Sequence, residues 1–130
     1  MLFNQLLARS AVLEERLADF FSLPLVNDSS RLQAARALAS LSFEHAQSLK
    51  YLVAAGLHTS AAALLRVQYE SLVRSLWVLY VATDSQAELM LAELTRDPVK
   101  KPTKFRCLSQ MLEAIEEKAQ QPPVPLPKEF

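Results

Sequence analysis

The sequence predicts an all-α protein, an antiparallel bundle of four to five helices. Three observations carry this expectation. The 130 residues include a single glycine, whereas sheets and phosphate-cradling loops need several turn positions with positive φ. Ala, Leu, Glu, Gln and Arg, all strong helix formers, dominate the composition. Apolar residues make up 51% of the chain and recur at intervals of 3 and 4, the spacing of one face of a helix. That apolar share suffices for one packed core and excludes a disordered polypeptide.

The first helix is expected over the segment that ends near Pro24. Phe3, Leu6, Ser10, Leu13, Leu17 and Phe20 follow at spacings of 3 and 4, the seam of a helix packed in a bundle. Asn27, Asp28, Ser29 and Ser30 offer N-caps to a second helix from about Arg31 to Ala55. One face of it carries Leu32, Ala35, Leu38, Ala39, Ser42, His45, Ala46, Leu49, Leu52 and Val53. Gly56 then supplies the left-handed residue that ends it.

Thr59 or Ser60 is expected to cap a third helix reaching about Ala82, and this helix is apolar almost all round. Leu65, Tyr69, Leu72, Leu76 and Leu79 form one stripe, Leu64, Val67 and Val78 lie on another side, and Ala62, Val73, Trp77 and Tyr80 on a third. Such a helix belongs at the centre of a bundle or in a subunit interface. Asp84 and Ser85 are expected to cap a shorter helix to Leu94, stopped by Asp97-Pro98. A lysine- and proline-bearing loop to Lys104 precedes a last helix with Phe105, Leu108, Leu112 and Ile115 on one face, ending around Gln120. Residues 1–120 thus read as one domain. The four prolines after Gln120 exclude helix from the segment 121–130, which reads as a proline-rich tail or a truncated linker.

Fourteen basic and fourteen acidic side chains cancel, which argues against a protein held on nucleic acid mainly by backbone charge. Cys107 is the only cysteine, so neither an intrachain disulfide nor a cysteine-rich zinc site is available, and it reads as a packing residue within the last helix. Two histidines far apart and no carboxylate cluster give no first shell for a metal, and no cofactor is expected. The longest stretch free of Asp, Glu, Lys and Arg, Tyr51 to Leu65, is shorter than the ~20 residues a membrane span needs. The N-terminus lacks the basic start and unbroken apolar run of a signal peptide. A cytoplasmic protein without membrane attachment is expected.

Few residues could carry chemistry. Arg66, Glu70 and Arg74 recur every 4 residues and share one edge of the third helix. A ladder of surface ion pairs is the favoured reading. The sharper one is a half-buried network whose guanidinium forks receive a phosphate or carboxylate. His45, on the apolar face of the second helix, reads first as a satisfied core histidine and second as a partner in that cluster. His58 reads as a turn residue, and Glu116-Glu117 as a solvated face. No histidine pair spaced for zinc, Gly-rich loop before a lysine or Gly-flanked serine occurs, so catalytic residues are not assigned. Trp77 and Tyr80 are candidate anchors for a partner.

The run from Leu41 to Asp84 resembles a group of uncharacterised bacterial helical proteins, itself similar to the HEPN (higher eukaryotes and prokaryotes nucleotide-binding) superfamily. The residues that carry the resemblance are Glu44-His45, Ser60-Ala61, Leu65-Arg66, Glu70, Arg74 and Trp77. It implies a HEPN-like helical bundle that dimerises and serves in toxin–antitoxin or phage-defence systems. HEPN nucleases cut RNA with an arginine followed four to six residues later by a histidine. Here Arg36 precedes His45 by nine residues and no histidine follows His58, so the nuclease motif is absent from these residues.

The expectation is therefore a non-enzymatic helical interaction module, homodimeric through the third helix and its neighbours, with a second protein as a possible partner. The alternative is a HEPN-like ribonuclease or nucleotide-binding protein that uses His45, Arg66, Glu70 and Arg74, with its motif histidine beyond residue 130. A third reading is an immunity or antitoxin-like protein fitted to a cognate toxin.

Overall fold

A computed structural model describes residues 2–96 and 104–122. These residues form α1 (Leu2–Ser22), α2 (Ser30–Ala54), α3 (His58–Tyr80), α4 (Asp84–Leu94) and α5 (Leu108–Ala119), with no strand among them. The protein is an all-α bundle. The expected loop between α4 and α5 lies largely outside the described residues, as does the proline-rich tail from residue 123.

α1 stops at Ser22 because the residue before Pro24 is driven out of helical geometry. The Ser22 hydroxyl closes the end by donating to the Asp19 carbonyl at 2.7 Å. Ser29 then caps α2, its hydroxyl accepting from the Leu32 amide. Gly56, at φ 77, turns the chain from α2 into α3. α3 starts one or two residues before either expected cap. Leu57 holds the N-cap position without a side-chain bond, because the turn through Gly56 runs directly into the helix. α4 is capped by Thr83 rather than Asp84 or Ser85. Thr83 and Gln86 form a reciprocal capping box. α5 starts at Leu108, so Phe105 precedes the helix and Cys107 occupies its N-cap position.

α2 and α3 lie antiparallel at close range, and small residues allow it. Ser75 donates to the Ala35 carbonyl at 2.8 Å and Ser42 to the Gln68 carbonyl at 3.1 Å, which fixes the register. Arg31, at the start of α2, donates to the Val78 carbonyl at 2.7 Å and to Asp84 at 2.8 Å. One guanidinium thus ties the beginnings of α2 and α4 to the end of α3. The core lies between α2, α3, α4 and α5, built from Ala34, Ala35, Leu38, Val73, Trp77, Val78, Ala82, Ala87, Met90 and Met111. Trp77 meets Phe105 edge-on with ring centroids 6.5 Å apart. The face expected to be covered on α2 is buried or half-buried throughout.

α1 departs from the expectation. It buries no residue. Its seam residues Phe3, Leu6, Leu13, Leu17 and Phe20 are between 36% and 67% exposed, so the seam is not packed in the bundle of its own chain. α1 lies against α2 through a neighbouring face, where Phe21 meets Phe43 at 5.2 Å and Glu14 pairs with Lys50 at 2.9 Å. Arg36 of α2 adds a clasp by donating to the carbonyls of Phe21 and Leu23. Among the described residues α1 touches α2 and none of the other helices.

Candidate interaction surface

One exposed apolar surface follows from the way α3 is surrounded. Ser71, Val73, Ser75, Trp77 and Val78 are buried by neighbouring helices. The arc left open carries Leu65, Tyr69, Leu72, Leu76 and Tyr80, between 37% and 58% exposed. Their spacing of 3 or 4 residues draws a continuous stripe along the helix, without a charged side chain in its line. Leu79, expected in this stripe, packs instead against the core, and Tyr80 takes its place in the open arc. An exposed apolar stripe of this kind is a candidate contact surface.

α1 presents a second such face. Its seam has the same periodicity and comparable length, yet it does not touch α3. On the side toward α2 the contact is incomplete, and an open cleft lies between Leu7, Ala11, Glu14, Gln47, Lys50 and Tyr51. Polar clasps and one aromatic pair therefore place α1, and its apolar seam contributes little to this attachment.

The polar residues singled out in the sequence are dispersed. Arg66 reaches Glu70 at 3.4 Å, an i,i+4 pair in which the arginine side chain is 84% exposed. This is the geometry of a surface ladder, whose contribution is a few tenths of a kcal/mol, ~0.3–0.5. The ladder does not extend to Arg74, which is half-buried and forms no ion pair with Glu70. His45 is half-buried on α2, and among the described residues no hydrogen bond or ion pair joins it to Arg66, Glu70 or Arg74. Trp77 is 1% exposed and is a core residue, so only Tyr80 of that pair offers surface to a partner. The Trp77 indole Nε1 is buried and finds no hydrogen-bond partner among the described residues.

Cys107 is exposed rather than packed. Its sulfur lies 3.2 Å from the Ser109 hydroxyl at the start of α5. That hydrogen bond, aided by the Gln110 backbone amide, holds the thiol below its ordinary pKa. The reading as a helix-interior packing residue fails because α5 starts one residue later. Among the described residues no group of three or more His, Cys, Asp or Glu gathers as metal ligands. Nor is any described helix long and apolar enough to cross a membrane.

A family model described as a family of unknown function, DUF6988, matches residues 39–130, from the middle of α2 onward. The match leaves α1 outside and takes in the whole exposed stripe of α3. No curated protein matches the chain, and no solved structure does.

Proposed function

The chain belongs to the DUF6988 family, and we propose that it is a helical protein-interaction module that acts as a homodimer rather than as an enzyme. The observation that carries this reading is the uncharged stripe of Leu65, Tyr69, Leu72, Leu76 and Tyr80, left open on the helix that also supplies Val73, Trp77 and Val78 to the core. A helix that both fills the core and presents a leucine–tyrosine face holds that face on a packed scaffold element. Light scattering across a concentration series tests the reading. A dimer that weakens when Leu72 becomes Glu supports it, and a strict monomer at high micromolar concentration contradicts it.

A second reading is RNA cleavage or nucleotide binding of the HEPN kind through His45, Arg66, Glu70 and Arg74. It has one observation on its side, the exposed Arg66 guanidinium with only a long contact to Glu70. Against it stands the lack of any bond between His45 and the α3 residues. Arg66→Ala that leaves RNA cleavage and nucleotide binding unchanged would remove this reading. A cytoplasmic place in a bacterial toxin–antitoxin or phage-defence system, including the antitoxin-like reading, rests on the HEPN resemblance alone. Co-purification with the product of a neighbouring gene tests it.

A further inference from the structure

We propose that two copies of this chain pair by crossing, the exposed seam of α1 in one copy seating on the exposed stripe of α3 in the other. This rests on the homodimer reading above and adds to it which surfaces meet.

The argument starts from what a single chain leaves uncovered. The α1 seam and the α3 stripe are both apolar, both repeat every 3 or 4 residues, and do not touch each other. From Phe3 to Phe20 the seam spans roughly 26 Å, and from Leu65 to Tyr80 the stripe spans roughly 22 Å, at a helical rise of ~1.5 Å per residue. Faces of matched length and period are what ridge-into-groove packing of two helices requires.

Symmetry then separates the possible pairings. A twofold contact of α3 with α3 would leave both α1 seams in water, and a contact of α1 with α1 would leave both stripes open. Crossed pairing under one twofold axis covers all four faces, because each copy gives one seam and receives one stripe. The area agrees with this. The ten side chains are roughly half exposed, and a wholly buried aromatic contributes about 150–250 Å², with leucine somewhat less. The two faces together therefore offer on the order of 800 Å² per copy, the share each partner gives to a standard stable interface. Either face alone offers about half of that.

The attachment of α1 suits such a role. Glu14–Lys50, Phe21–Phe43 and the Arg36 clasp hold one side of α1 on α2 without using its seam. The second copy therefore finds the seam already presented, with little ordering left to do on binding.

The test is disulfide cross-linking of the full chain in a Cys107→Ser background. Single cysteines replace Leu6, Leu13 or Leu17 in one set of chains, and Leu65, Leu72 or Leu76 in the other. Mixed sets are expected to yield cross-linked dimers under mild oxidation while neither set cross-links with itself. Leu13→Glu and Leu72→Glu are each expected to raise the dimer dissociation constant by about tenfold or more. Self-linking within either set, or a dimer that no mixed pair captures, overturns the crossed arrangement and leaves the homodimer reading standing. Unsubstituted protein that stays monomeric at every concentration removes the homodimer reading itself, and the crossed arrangement with it.

Discussion

Glu14 on α1 and Lys50 on α2 form an ion pair of 2.9 Å in which the side chains keep only 19% and 21% of their exposure. Among the described ion pairs it is the one that fastens α1 to the bundle. With the Arg36 clasp and the Phe21–Phe43 contact it makes the attachment of α1 mainly polar and local. The rest of the fold is held by a continuous apolar core to which α1 adds no buried residue. α1 can therefore loosen without unfolding α2 to α5.

Replacing Glu14 by Ala is expected to cost about 1–2 kcal/mol, between the exposed and buried limits for losing one partner of an ion pair. The cost should fall locally. Hydrogen exchange in dilute protein should show faster exchange of the α1 amides, with core amides of α2 and α3 unchanged. Uniform acceleration across all helices would show that α1 belongs to the same cooperative unit as the core.

Trp77 supplies a contrast between two substitutions at one site. Trp77→Ala removes a wholly buried side chain and is expected to cost about 3–5 kcal/mol through lost burial and a cavity. Trp77→Phe also deletes the indole N–H that has no partner, which offsets part of the lost volume. Its expected cost is smaller than that of Trp77→Ala, because the phenyl ring keeps most of the buried contact. Urea denaturation of both variants checks this, and equal costs would mean that a phenyl ring at this site recovers none of the lost packing.

Gly56 holds φ 77 with nothing within 4 Å of a Cβ placed on it. Gly56→Ala is therefore expected to cost only the backbone strain of a left-handed alanine, about 1–2 kcal/mol. Gly56→Asn should cost less, because asparagine tolerates this region. Thermal denaturation of the pair separates them.

Cys107 should titrate below the ordinary thiol value, because its thiolate accepts from the Ser109 hydroxyl first and from the Gln110 amide second. Lowering the pKa makes the reactive thiolate available at lower pH. The pH profile of alkylation should accordingly have its midpoint shifted downward, and Ser109→Ala should move that midpoint back up. A profile unchanged by Ser109→Ala would place the cause elsewhere.

The sequence made some parts of this molecule readable and hid others for physical reasons. The α2 face was legible because helices cover it on both sides, so its hydropathy period and its burial agree. The glycine at position 56 was legible because positive φ is a property of the backbone and needs no tertiary context. Ser75 and Ser71 carried no such signal. They are buried because α2 and α3 approach closely and hydroxyls can bond to nearby helix carbonyls. Met111, wholly buried, sits one turn after Leu108, but the heptad spacing of Phe105, Leu108, Leu112 and Ile115 starts the helix too early and leaves Met111 off its face. The α1 seam was recognised as an apolar face. Periodicity states that such a face needs cover and is silent on which molecule provides it. The polar candidates failed to converge because shared spacing on α3 aligns Arg66 with Glu70 but places no constraint on His45 of another helix.

The most direct measurement of the central claim is the molar mass of the full chain by light scattering from low to high micromolar concentration. The account predicts a species at twice the 14.6 kDa of one chain, reverting to one chain mass on dilution and in both Leu13→Glu and Leu72→Glu. A mass that stays at that of one chain throughout the range would contradict it.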